Sequence, residues 1–324
     1  MPVDKKGSIA DIVKDTFRLV TRGTRYYAHP DTIKELPSYL KDLVVGLKVG
    51  PKDPDYVYLD LHAHFRKDQD IEELIEEASQ RVDVLAIMTK TEDVSNHLLL
   101  TFDEALQKLR DKSIEYILLD TDVAPRVAEV KHKGKTLYLV RGAELECKEN
   151  LHIALVGNKR EYNRFEITID QAIEESRAVG AFHFMDHVFS IWVPNLVSFR
   201  FPTKEEMARL EGYFRKYHPT LETGNHQNTL WMWVSNVLAR RRAKEYGLPE
   251  VANSDTHLDI YQVGLSRTGI PREGFRAGTE QEFFESLNNA FSQANYRRNR
   301  VEGHYASAYS FFKTMLWPKI VGRH

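Results

Sequence analysis

The sequence predicts an α/β barrel, distorted and of about seven strands, and three observations carry that expectation. Short runs rich in β-branched and aromatic residues alternate with amphipathic stretches, the rhythm of βα units. Several of these runs end in histidine or carboxylate residues, and α/β barrels keep their chemistry at the C-terminal ends of their strands. At 324 residues the chain is also long enough to bury one large core.

The elements follow in order. Residues 1–54 read as a helical extension, with Ile9, Ile12, Val13, Phe17 and Val20 at helical spacing and a second helix expected over Leu36–Leu47. Gly50-Pro51-Lys52-Asp53-Pro54 stops that segment, and Tyr56-Val57-Tyr58-Leu59 opens the first strand. Residues 55–275 then alternate. Ile71–Arg81 is a helix with Ile71, Leu74, Ile75 and Ala78 on one face, and Val82–Met88 is a strand. Thr101 with Glu104 three residues later is a capping box. Ile114–Leu119 is a strand, and Val127–Val140 is a hairpin around His132-Lys133-Gly134-Lys135. Thr168 starts a helix, Thr203 with Glu206 starts another, and Asn228–Tyr246 is a longer one. Residues 276–324 form a helical tail that is basic and aromatic: from Phe291 onward six Lys or Arg face one acid, Glu302.

Within this frame Asp60-Leu61-His62-Ala63-His64 stands out. Side chains two apart on a strand share a face, so His62 and His64 project together. Two adjacent imidazoles are costly to desolvate unless a proton or a metal lies between them. Glu144 follows the strand Leu137–Val140, His152 begins another, His183 ends a third, and Asp255 and His257 close Val251–His257. Imidazole plus carboxylate without paired thiolates is ligand chemistry for zinc, manganese or iron.

These motifs, in this order over roughly residues 55–270, resemble the PHP (polymerase and histidinol phosphatase) family of metallohydrolases. The resemblance rests on Asp60-Leu61-His62-Ala63-His64, Gly142-Ala143-Glu144, His152, His183, Leu221-Glu222-Thr223-Gly224-Asn225 and Ser254-Asp255-Thr256-His257. It implies a PHP-type (β/α)7 barrel, a divalent-metal cofactor of Zn, Mn or Fe with two ions and at most three, and a glutamate, Glu144, that bridges them. One ion would take His62, His64, Glu144 and Asp255, and a second Glu144, His152 and His183, with His257 at a third position. The chain departs from the family at Lys90 and Thr91, where an aspartate and a metal-binding histidine are usual, which leaves the second ion one ligand short unless His97 supplies it.

The implied activity is hydrolysis of a phosphate ester of a small molecule or nucleotide by metal-activated water. The alternative is a binding or regulatory module with an incomplete metal site. Arg141 and Arg267, nearest in sequence to the ligands, are candidates for holding phosphate or for rim salt bridges, and Lys90 could supply the charge of a missing ion. No Gly-rich phosphate loop, Walker sequence or Ser nucleophile elbow competes for the role. A net charge of −2 argues against nucleic acid as partner. The single cysteine, Cys147, and the absence of an apolar leader or spanning run fit a cytoplasmic protein. The tail could cover its own barrel, mediate self-association or dock on an anionic surface.

Overall fold

The computed structural model describes residues 26–45, 49–91, 98–120, 124–193, 198–228, 232–257 and 259–307. The expected helix at Ile9–Thr21, His97 and residues 308–324 of the tail lie outside them. In chain order the strands are β1 (Tyr56–His64), β2 (Val84–Lys90), β3 (Glu115–Leu118), β4 (Val127–His132), β5 (Lys135–Glu146), β6 (His152–Val156), β7 (Phe182–Met185), β8 (Ile191–Val193), β9 (Ser198–Arg200), β10 (Thr220–Asn225), β11 (Glu250–Asn253), β12 (Thr256–His257), β13 (Ser266–Pro271) and β14 (Arg300–Gly303). The helices are α1 (Pro30–Val45), α2 (Ile71–Arg81), α3 (Phe102–Asp111), α4 (Ile169–Ala178), α5 (Lys204–Tyr217), α6 (Trp233–Tyr246) and α7 (Glu280–Ala290). Among the described residues no helix is long and apolar enough to cross a membrane.

Local chemistry sets most boundaries. Capping boxes start α3 at Thr101, α4 at Thr168 and α5 at Thr203, each reciprocated by the third residue of its helix. Asp70 caps α2 by accepting from the Glu72 and Glu73 amides. Helix α1 starts before the expected Leu36, because Pro30 and Asp31 suit a first turn. The β4–β5 hairpin turns through Lys133 and Gly134, both at positive φ.

The main sheet runs β11-β10-β7-β6-β5-β2-β1-β13-β14 and curls into a nearly closed barrel. It is mixed rather than the expected run of parallel βα units: β5–β6, β6–β7 and β1–β13 are antiparallel. For β5–β6 the reason is connection length, since residues 147–151 are too few for a crossover helix. The tail segment differs as well. After α7 it supplies β14, antiparallel to β13, and then sets Tyr305 edge-on against the stacked rings of Tyr39 of α1 and Trp233 of α6.

The seam between β11 and the β1–β13 pair is closed by side chains. Thr268 Oγ1 accepts from the Ala252 amide (2.7 Å) and donates to its carbonyl (3.2 Å). Asn253 Oδ1 accepts from the Leu61 amide at 2.8 Å. Inside the barrel Val57, Leu59, Leu61, Val84, Ala86, Met88, Val140, Ala154, Val156, Phe182 and Phe184 form one apolar cluster, joined by Phe283, Phe284 and Leu287 of α7. Burying each of the larger side chains contributes roughly 1.5–3 kcal/mol. A second cluster lies under α2 and α3, and a third under α4, α5 and α6.

Two irregularities prepare the polar end. On β1, Asp60 pairs with Leu85 but Ala63 with Ile87, so β1 carries one extra residue there. The bulge reverses the face: Leu59 and Leu61 belong to the interior cluster, whereas Ala63 and Phe65 pack outside, and His62 and His64 turn inward. On β10, Glu222 pairs with Val251 and Gly224 with Ala252, another one-residue excess. A Cβ at Gly224 would stand 2.7 Å from the Ala252 Cβ, so the close approach requires glycine.

Candidate metal centre

Strand geometry sets most inward positions at the barrel mouth. β1 delivers His62 and His64 beyond its bulge. β5 runs in register with β2, pairing Glu144 with Lys90. A Cβ on Gly142 would stand 2.0 Å from Met88 Sδ, so glycine leaves room for that methionine beneath the centre. β6 is antiparallel to β5, which places His152, at its start, at the same end. On β7 Phe182 and Phe184 face the interior, and Asp186 continues that alternation just past the strand. The β10 bulge brings Glu222 and Asn225 together, with Asn225 Nδ2 donating to Glu222 Oε2 (2.8 Å) and to Asp255 Oδ2 (2.9 Å).

Four acceptors converge. His64 Nδ1 donates to the Met88 carbonyl (3.0 Å), which turns its bare Nε2 inward. His62 Nδ1 lies 3.2 Å from both Glu222 Oε1 and Asp186 Oδ1, so donation to carboxylate bares its Nε2 too. The two Nε2 atoms face each other at 3.1 Å. Glu144 Oε2 stands 3.1 Å from His64 Nε2 and 3.6 Å from His62 Nε2, and Asp255 Oδ1 3.7 and 3.3 Å. Lone pairs this close repel unless a cation sits among them. Ligands at about 2.0–2.1 Å around a tetrahedral zinc are about 3.4 Å apart, close to these separations.

A second group lies beside the first. Glu144 Oε1 is 2.7 Å from His152 Nδ1 and 3.3 Å from His187 Nε2, and His187 Nε2 is 3.3 Å from Asp186 Oδ2. Glu144, His152, Asp186 and His187 can place ligand atoms within 4.8 Å of one another, as can His62, His64 and Asp255, and also His62, Asp186 and Glu222.

The electrostatics favour cations. Glu144, Asp186, Glu222 and Asp255 are all buried carboxylates, with the Lys90 ammonium 3.0 Å from Glu144 Oε2. Asp255 Oδ1 and both Asp186 oxygens are buried without a hydrogen bond. Burial pushes the Asp186 carboxyl well above the ordinary range. Burial opposes ionised Glu144 as well, but Lys90 and then His152 and His187 outweigh it and hold that carboxyl well below its usual value. Burial disfavours charged His62, yet Asp186, Asp255 and Glu222 together raise its pKa well above normal. Such a site takes up protons or metal ions, and the donor set fits divalent metals.

Of the residues expected at the centre, His62, His64, Glu144, His152 and Asp255 lie together. His257 adjoins them, its ring 4.8 Å from that of His64 and its Nδ1 donating to the Asp255 carbonyl at 2.8 Å. Three expectations are corrected. His183 is on the opposite face of β7 from Phe182 and Phe184 and bonds Ser176 Oγ of α4 (3.0 Å), so the structure places it away from the grouped ligand atoms. Arg141 is bound to Asp103 (2.6 Å) and the Pro125 carbonyl and stacks over Phe102. Arg267 is buried on Glu302 (2.8 Å) and the Arg81 and Gly50 carbonyls, its guanidinium over Tyr58. Among the described residues, neither arginine pairs with a carboxylate or histidine of the centre.

The sequence motifs do not single out Asp186 and His187, and they carry Glu222 only as part of Leu221–Asn225, whereas the structure places all three at the centre. The signal for Asp186 was present as the alternation Phe182-x-Phe184-x-Asp186. Asp186 and His187 stand beside Glu144 and His152, while the Thr91 hydroxyl accepts from the Glu146 amide (3.0 Å) and extends the β2–β5 ladder.

Fold and ligand groups define a PHP-type α/β barrel with a His/Asp/Glu centre, suited to divalent metal. A family model described as PHP-associated matches residues 234–290, from α6 through α7. With the ordered motifs, that match, confined to residues 234–290, supports a PHP family assignment. Similar solved structures include PsfC from Pseudomonas syringae (TM-score 0.48, 17% identity, 83% of this chain and 96% of that one). A two-domain protein from Bacteroides vulgatus containing a predicted PHP-like metal-dependent phosphoesterase is another (0.46, 16%, 80% and 69%). A third is a lesion-specific endonuclease, endonuclease Q, from Pyrococcus furiosus (0.41, 13%, 76% and 57%). Likeness at this level carries no activity across. No curated protein matches the chain in sequence.

Proposed function

We propose that the chain is a metal-dependent phosphoesterase that hydrolyses a phosphate ester of a small molecule or nucleotide. The observation that carries this reading is the division of Glu144: Oε2 faces His62 and His64, while Oε1 faces His152 and His187. A carboxylate shared in this way suits two ions side by side, the arrangement that clamps a phosphoryl group. His62, His64, Asp255 and Glu144 would hold one ion, and His152, Asp186, His187 and Glu144 the other. Divalent ions there supply Lewis acidity, which lowers the pKa of water toward about 7 and neutralises phosphate charge.

The remaining residues orient and charge the site. Glu222 holds the His62 ring through Nδ1, and Asn225 in turn holds Glu222 and Asp255. Lys90, the ammonium beside Glu144, is the candidate for meeting a substrate phosphate in place of Arg141 and Arg267. A net charge of −2 offers no general attraction to a polyanion, which favours a small phosphorylated substrate over nucleic acid.

The test is metal content together with hydrolysis across a panel of nitrophenyl phosphates, sugar phosphates and nucleotides. Wild-type protein is expected to bind two ions and to lose hydrolysis on chelation. His62→Ala is expected to lower bound metal and to reduce rate by at least about 10–100-fold, the cost of perturbing even an outer-shell partner. Protein that binds one ion or none and cleaves nothing in the panel would return the reading to the binding module.

A further inference from the structure

We propose that Lys90 is a built-in competitor for the ion held by His62, His64, Asp255 and Glu144, and that it makes the two ion positions unequal. The inference rests on the two-ion reading above. Lys90 is the last residue of β2, and its register partner in the sheet is Glu144 itself. Its Nζ lies 3.0 Å from Glu144 Oε2, the oxygen that also meets His64 Nε2 at 3.1 Å. Among the described residues, no ammonium pairs with the Oε1 side, toward His152 and His187. The lysine side chain is 17% exposed and that of Glu144 3%, so water screens the pair weakly.

Two consequences follow for an ion at the Oε2 position. It must displace an ammonium from a ligand oxygen, and it must then tolerate a fixed positive charge nearby. Both oppose binding at Oε2 far more than at Oε1, because the interaction falls with distance and is strongest where solvent is excluded. The carboxylate excess at the centre still draws two ions in, but with different affinities.

The experiment is calorimetric titration of chelator-treated protein with Mn2+ or Zn2+, without substrate. Wild type is expected to show two classes of site separated by about tenfold or more. His152→Ala should delete the tighter class and His64→Ala the weaker. Lys90→Met, which keeps length and removes charge, should tighten the weaker class by about tenfold and leave the other within about threefold. Lys90→Arg, which keeps the charge, should preserve the inequality. Two equal sites in wild type, or a Lys90→Met protein with unchanged affinities, would overturn the inference and leave the phosphoesterase reading standing. Loosening of both classes in Lys90→Met would overturn it too, by making Lys90 a positioning residue for Glu144. No ion bound by wild type would overturn both readings.

Discussion

Face parity on a single short strand decides which histidine belongs to the centre. Phe182 and Phe184 point into the barrel, so Asp186 follows them inward, while His183 points outward to Ser176. The consequence is a sharp contrast between neighbours. Asp186→Ala should remove about one equivalent of bound metal, because it deletes a carboxylate with two buried oxygens that lack hydrogen bonds. His183→Ala should keep the full complement, and metal analysis of the two variants after identical loading checks this. A His183→Ala protein that lost an ion would reverse the assignment. Lys90 and Thr91 make the same point, since adjacent residues end up as an ion-pair partner of Glu144 and a backbone ladder contact.

At the scale of elements, the centre depends on where strands deviate from regularity. The bulges on β1 and β10 aim His62, His64, Glu222 and Asn225, and the seam beside them is joined through side chains. Thr268 is the main stitch, and its hydroxyl is fully buried between the Ala252 amide and carbonyl. Thr268→Val keeps the shape but leaves buried polar groups unpaired, at a cost of about 1–3 kcal/mol. Urea unfolding should show a lower midpoint with an unchanged slope, since the surface exposed on unfolding stays the same. An unshifted midpoint would mean that the seam is held elsewhere.

For the whole molecule, the half-buried His183 and the buried His226, both held neutral, make stability depend on pH. Desolvation, reinforced by the Arg177 charge, holds His183 near pKa 4, and desolvation holds His226 at about 4 against the pull of the His304 carbonyl. Unfolded, each titrates near 6.5. Above that pH neither state is protonated and the histidines cost nothing. As pH falls from 6.5 toward 4, the unfolded chain binds protons that the native state refuses, so stability declines across this window and levels off below it. His183→Gln should therefore lose less stability than wild type between pH 7 and pH 4.5, by at most about 2–3 kcal/mol. Equal losses in urea unfolding at the two pH values would show that His183 takes up its proton in the native state.

By itself the sequence determined the βα rhythm, the capped helix starts at Thr101, Thr168 and Thr203, the hairpin at Lys133-Gly134 and the kind of ligand chemistry. Each of these depends on residues within a turn or two of one another, so short-range hydrogen bonding and periodicity suffice. The His62/His64 pair was legible for the same reason, because two residues on one strand share a face wherever that strand goes. Only the tertiary structure decided the mixed strand directions, the reversal of face at the β1 bulge and the exclusion of His183, Arg141 and Arg267 from the centre. It alone brought Asp186, His187 and Glu222 to Glu144 and His62. Those outcomes depend on register and packing between segments far apart in the chain, where a shift of one residue turns a ligand into a wall.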